Sequence, residues 1–313
     1  MNIHFWGVRG SIPSPISPSR VKSKISAIIE QIKPEDLKSA DTRECFLASL
    51  PPWLFGTVGG NSPCVSIDFD NLDECIVFDC GSGLREFGAA QAAKRRKTNR
   101  FHIFLSHFHY DHIQGIPFFG PGYNPSVKME FYSPVEGLKE KINGQMVNPY
   151  FPVNIDAMGS VKTFHHMAAP VNVCGAAVSA KKMNHPGDSY AYCVNVGGKR
   201  VIYATDTELK EGDFQENDEN TAFFKDADLL IIDCQYTLGE AIEKYNWGHS
   251  AFSIAVDFAL NWGIKHMVMF HHDPTYDDQK LYGILGTARD YIERMNVKEL
   301  EITLAYEGLE ISI

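Results

Sequence analysis

Hydrophobic residues fall in short, dense runs along this chain, and glycine, proline, asparagine or aspartate separates most of them. NIHFWGV (2–8), CVSIDF (64–69), CIVFDC (75–80), FHIFLS (101–106), KMEFYS (128–133) and VSAKKMN (178–184) are six such runs. YAYCVNV (190–196), RVIYATD (200–206), DLLIIDCQ (228–235), HMVMFHH (266–272) and ELEITLAYEG (299–308) follow. Their β-branched and aromatic content predicts strands. VGGKR, between two of the runs, predicts a hairpin turn. Apolar positions at helical spacing predict helices over 21–33, 84–95, 135–142, 250–262 and 278–295. SAFSIAVDFALNW runs into Gly263, a stop signal.

Residues 1–134 are mostly strands with one helix, and 174–313 repeat that character. Such a pattern predicts an α/β (α+β) fold of sheets packed on each other with flanking helices. The segment 14–56 breaks it, with Ser-Pro repeats, charged helix-like residues and then SLPPWLFG. It reads as an insertion into a single domain spanning 1–313. A lid, a partner surface and a dimer element are its three readings.

Hydrophobic content of 44% and charged content of 22% are those of a globular protein. No run approaches the roughly 18–20 apolar residues of a membrane span. The start, MNIHFWGVRGSIP, has no basic head before an apolar run, so no secretory signal is expected. Seven cysteines, an odd number without a Cys-x-x-Cys pair, predict reduced thiols and a cytoplasmic protein. A net charge of −10 argues against a polyanionic partner such as nucleic acid. The one dense basic run, KRRK at 94–97, follows FGAAQAA and reads as a solvated helix end.

The candidate chemistry lies in HFHYDH. His107, His109, Asp111 and His112 fall within six residues, directly after an apolar run. Crowded imidazoles and a carboxylate are costly unless something positive holds them. Residues two apart in extended chain point the same way, so His107 and His109 reach one point together. Asp111 and His112 begin a new turn and face a second. Neutral imidazole and carboxylate suit zinc, manganese or iron. Other donors recur at strand ends: His185, Asp206, and one of His271 and His272.

The order His-x-His-x-Asp-His, then His, Asp and His resembles the metallo-β-lactamase fold superfamily. GGNSPCV and DCGSGLRE resemble its glycine turns. The resemblance implies an αββα sandwich of two mixed β-sheets flanked by helices, with two divalent metal ions at the edge between the sheets. By that pattern His107, His109 and His185 hold one metal. Asp111, His112 and His271 hold the other, and Asp206 bridges them. YNWGHSAFSIA resembles the Gly-His-Ser turn of the phosphodiesterase branch, which includes tRNA 3′-processing endonucleases and small cyclic-phosphate diesterases. There the histidine, His249 here, protonates the leaving alkoxide. Asp111 and His249 are thus the catalytic candidates.

The implied function is a two-metal phosphodiesterase opening a small cyclic nucleotide or cyclic ribose phosphate, by attack of a metal-bridging hydroxide with His249 as acid. His185 and Asp206 are one hairpin apart, which leaves no room there for a tRNA-gripping arm. The alternatives are an RNA endonuclease, a metal-bound nucleotide-binding protein without turnover, and an acyl or thioester hydrolase. A homodimer is the implied assembly. Asp79 and Asp233, ending apolar strands, either orient ligand histidines or cap turns. Arg9 and Ser11 either contact phosphate or fix a loop. His165 and His166 read as surface or core histidines, and His4 and His102 as structural.

Overall fold

The computed structural model describes residues 1–70, 72–94 and 98–313. The helix-end reading of the basic run at 94–97 therefore falls, except for Lys94, outside the described residues.

Six of the seven strands of the first sheet come from residues 2–166. They are β1 (Asn2–Gly7), β2 (Cys64–Asp68), β3 (Glu74–Phe78), β4 (Arg100–Phe104), β5 (Lys128–Ser133) and β6 (Val161–His166). The second sheet comprises β7 (Val171–Val173), β8 (Ala176–Lys182), β9 (Tyr190–Val196), β10 (Lys199–Ala204), β11 (Leu229–Asp233), β12 (His266–Phe270) and β13 (Glu301–Leu304). β14 (Glu310–Ser312) returns to the first sheet beside β1. The spatial orders are β14-β1-β2-β3-β4-β5-β6 and β13-β12-β11-β10-β9-β8-β7. Each sheet is antiparallel on one side and parallel on the other: β3 to β6 are parallel, and so are β10 to β13. The predicted hairpin joins β9 to β10 through Gly197 and Gly198, both at positive φ (58° and 77°), a conformation glycine takes without a Cβ penalty.

Apolar packing fills three layers. Between the sheets, Phe5, Phe78, Phe104, Tyr192, Tyr203, Ile231 and Phe270 form one core, in which Phe78 stacks on Tyr203 at 4.9 Å. On the outer face of the first sheet, Leu84 and Phe87 of the helix Gly83–Ala93 meet Val77, Phe101 and Ile103. On the outer face of the second, Phe258 of Phe252–Asn261 and Ile284 of Asp278–Arg294 meet Leu230, Met267 and Ile302. The result is the expected helix–sheet–sheet–helix layering.

Strands β6, β7 and β14 were not among the predicted runs. All three lie at the ends of the sheets, and Lys162, Thr163, His165 and His166 give β6 a polar sequence. The 14–56 segment is helical, with Pro18–Ile29, Ala40–Ser49 and Pro52–Phe55. The two longer helices bury no residue. Lys24 ties the first of them to Asp278 and to the Gly56 carbonyl. Among the described residues no helix is long and apolar enough to cross a membrane.

Candidate metal centre

Parallel strands all point their carboxyl ends one way, and open α/β sheets carry their sites there. Each predicted donor of the parallel strands follows that rule. His107 lies just past β4, Asp206 just past β10, and His271 just past β12. Asp79 follows β3 directly, and Asp233 is the last residue of β11. Asp79, Asp206 and His271 have left-handed φ values of 56°, 46° and 58°. Non-glycine residues pay for that conformation, and such outliers concentrate at functional sites.

The seven predicted donors come together as two groups. His107, His109, His185 and Asp206 present donor atoms within 4.8 Å of one another, and so do Asp111, His112 and His271. Asp206 faces both. Its Oδ2 is 3.6 Å from His107 Nε2 and 3.7 Å from His185 Nε2. Its Oδ1 is 3.2 Å from His112 Nε2 and 3.1 Å from His271 Nε2. Asp111 Oδ2 lies 3.1 Å from His112 Nε2 and 3.3 Å from His271 Nε2.

The rings are aimed by bonds on their far sides. His112 Nδ1 donates to Asp79 Oδ2 at 2.8 Å, and Ser106 Oγ and Tyr203 OH donate to the same oxygen. His107 Nδ1 donates to Ser106 Oγ at 3.0 Å. His271 Nδ1 donates to Gln235 Oε1 at 3.1 Å, and His185 Nδ1 to the Gly248 carbonyl at 2.8 Å. A proton held on Nδ1 leaves the Nε2 lone pair directed inward. Ser11 N donates to Asp111 Oδ2 at 2.8 Å. The backbone of Arg9 and Gly10 is strapped to His272, which carries Ser11 to that position. Gly10 is required there, because a Cβ would meet the His271 ring at 2.6 Å.

Of the two adjacent candidates, His271 faces the centre. His272 turns away and donates from Nε2 to the Ala305 carbonyl at 2.8 Å, and burial pushes its ring down to about 3. Arg9 donates to the carbonyls of Gly59, Asp273 and Tyr276, contacts that fix a loop. His4, His102 and His165 pair with carboxylates elsewhere. Glu74, His102 and Cys174 form a third donor group at the start of β3, where both His102 nitrogens are already engaged, by Glu74 and by Tyr132. Sequence reasoning missed Gln235, Ser106 and Tyr203, which act on donors rather than as donors.

The donor set fits divalent cations. His107 Nε2 is buried without a hydrogen-bond partner, a state that costs about 1–3 kcal/mol. Burial, then the neighbouring His112, holds His107 well below its ordinary value, and burial lowers His109 and His185 too. These are neutral imidazoles, the form that ligates. Around His112 the balance reverses. Burial disfavours its charge, yet Asp111, Asp206 and Asp79 raise it well above the ordinary value. Among the described residues no lysine or arginine lies within ion-pair reach of Asp79, Asp111, Asp206 or Asp233. Four buried carboxylates with no lysine or arginine beside them form a site built for positive charge.

His249 stands at the edge. It is bonded through Nδ1 to Asp233 Oδ2 at 2.6 Å and offers a nitrogen within 4.8 Å of donors on Asp206 and His271. Burial opposes its charge, but Asp233, Asp206 and Asp111 together outweigh burial and push the ring up to about 9.

A beta-lactamase superfamily domain model matches residues 74–272, which hold all of these donors. The chain belongs to that superfamily. The sandwich is the metallo-β-lactamase fold. The chain is 22% identical over 282 residues to ribonuclease Z of Streptococcus pneumoniae serotype 19F (strain G54), covering 74% of this chain and 90% of the relative. The Zn(2+)-bound PqqB of Methylobacterium extorquens superimposes with a TM-score of 0.66 at 14% identity, over 100% of each chain. A diphosphatase of the PhnP family superimposes with a TM-score of 0.61 at 16% identity, over 100% of this chain and 97% of the other. At these identities the structural likenesses speak for the fold alone. Two of these relatives, the ribonuclease and the diphosphatase, are hydrolases. One is a ribonuclease, against the expectation drawn from net charge that nucleic acid is no partner.

Proposed function

We propose that this chain is a two-metal phosphodiesterase acting on a small phosphodiester such as a cyclic nucleotide or cyclic ribose phosphate. The observation that carries the reading is Asp206, whose two oxygens face two separate donor groups while His249 stands at their edge. His107, His109 and His185 would hold one divalent ion, and Asp111, His112 and His271 the other. Two such ions supply an acidified water and positive charge for the phosphoryl oxygens. Ser11 N holds the Asp111 carboxylate in place, and Gln235 holds His271. His249 carries its proton toward the leaving oxygen, which needs one because an alkoxide is a poor leaving group near neutral pH. Asp233 keeps that imidazole charged and oriented.

The compact hairpin β9–β10, between His185 and Asp206, supports a small substrate. Similarity to ribonuclease Z favours a second reading, an RNA endonuclease. Product chromatography decides between them, using a cyclic-nucleotide panel and a precursor tRNA with manganese or zinc, and with chelator as control. Chelator-sensitive ring opening is the expected result. Cleavage of the tRNA alone, steeply lost with added salt, would replace the first reading with the second. Nucleotide binding without any product would leave a binding protein.

A further inference from the structure

The loop that brings His249 to the centre also carries an exposed tryptophan. Trp247 is 62% exposed and Tyr245, close by, 67%. An indole that size is normally buried for the gain it brings. Its exposure here is not the result of a loose loop. Asn246 N and Gly248 N donate to the two oxygens of Glu208 at 3.1 and 3.0 Å. The Gly248 carbonyl accepts from His185. Gly248 has φ +89°, and a Cβ there would strike His185 Nδ1 at 2.2 Å. The Glu208 carboxylate and the His185 imidazole therefore pin the backbone on both sides of the ring.

Cations accompany the aromatics. Lys244 Nζ is 4.2 Å from the Tyr236 ring and 6.0 Å from the Trp247 ring, and Tyr236 meets His249 edge-on at 5.7 Å. Lys244 is also 3.6 Å from Asp273. Lys210 Nζ is 5.5 Å from the Tyr245 ring. Aromatic faces interleaved with lysines are the usual platform for a stacked base and its phosphates. Lys244 and Lys210 thus stand beside exposed aromatic rings in a chain of net charge −10.

We infer that Trp247 is a stacking platform for a nucleobase on the leaving-group side of the scissile bond, with Lys244 and Lys210 serving the anionic part. The acid and the platform come from one loop, so the alkoxide that His249 protonates belongs to the nucleoside whose base is stacked. The inference rests on the phosphodiesterase reading and names its substrate class, a nucleoside phosphodiester rather than a bare sugar phosphate or a diphosphate.

The test compares adenosine 2′,3′-cyclic phosphate with the base-free 1-O-methylribose 2,3-cyclic phosphate on the metal-loaded protein. Stacking of this kind predicts a kcat/KM ratio of about 5 to 150 in favour of the base. Trp247→Ala brings the ratio toward unity, and Trp247→Phe retains most of it. An unchanged ratio in Trp247→Ala overturns the inference. A second measurement stands apart from turnover: titration of intrinsic fluorescence with AMP and with ribose 5-phosphate. Saturable quenching by AMP, absent with ribose 5-phosphate and lost in Trp247→Phe, supports the platform even if neither cyclic phosphate is opened. Equal response to both ligands overturns it.

Discussion

The two halves of the centre are built from similar donors and held in different ways. Asp111, His112 and His271 are all buried, and side chains or a fixed amide lock each one: Ser11 N, Asp79 and Gln235. In the other half His109 is exposed, and among the described residues His185 Nε2, at 3.2 Å, is the one hydrogen-bond partner found for its Nδ1. His107 and His185 lean on a hydroxyl and a backbone carbonyl. The buried half adds the Asp111 carboxylate to the shared Asp206, whereas the other half adds neutral imidazoles. A buried half that concentrates negative charge depends on its cation for stability as well as chemistry. The half with a solvent-facing imidazole is the one expected to exchange its ion.

Asp206→Ala removes the one residue that belongs to both halves, so it should have the largest effect. Activity on a phosphodiester should fall by at least about a thousandfold, given that two-metal stabilisation supplies several kcal/mol. Metal content by mass spectrometry should drop from two ions per chain to one or fewer. Two tightly held ions in this variant would mean that the halves are independent.

His249→Ala tests the edge rather than either half. Loss of a general acid costs about 10²–10⁴-fold when the leaving group is an alkoxide. A p-nitrophenolate leaving group needs little protonation, so the same variant should lose far less on that substrate. Equal losses on both would make His249 a ligand, a role its nearness to Asp206 and His271 also permits.

Asp79→Asn weakens the buried half most, because Asp79 holds His112 directly and reaches His107 only through Ser106. Partners of ligand histidines typically contribute 10–100-fold to metal affinity, and Asp79 also holds Ser106 and Tyr203. Competition with a chromophoric chelator should show one ion weakened by about that factor and the other weakened less. A uniform loss of both ions would erase the distinction between the halves.

How much of this was legible in the sequence follows from where donors sit relative to apolar runs. HFHYDH is conspicuous because four donors follow a buried strand at once. Asp206 and Asp233 stand out at the ends of apolar runs for the same reason. Between His271 and His272 only the spacing from the strand favours His271, because both follow β12. The left-handed φ of His271 decides it, by turning one ring to the centre and leaving the next against Ala305. Gln235 was hidden because an amide that aims a histidine has no pattern of its own. The helix Ala40–Ser49 buries no residue and so carries no apolar stripe to read. β6 was hidden by the polar residues of a strand at the end of its sheet.

His109→Ala should have the smallest effect and is the sharpest test of the asymmetry. The ring is exposed and no other hydrogen bond to it is found among the described residues beyond His185. Stability of the chelator-treated protein should therefore change by no more than about 0.5 kcal/mol, the usual range for surface sites. Its loss leaves His107, His185 and Asp206 to hold that ion, a set one donor short of a tetrahedral site. One ion per chain should then leave readily on dialysis, while the other resists as in the wild type. Activity should recover when excess metal is supplied, because the missing donor is one that water can replace. If both ions leave together, the exposed half is supporting the buried one, and the order of dependence argued here is reversed.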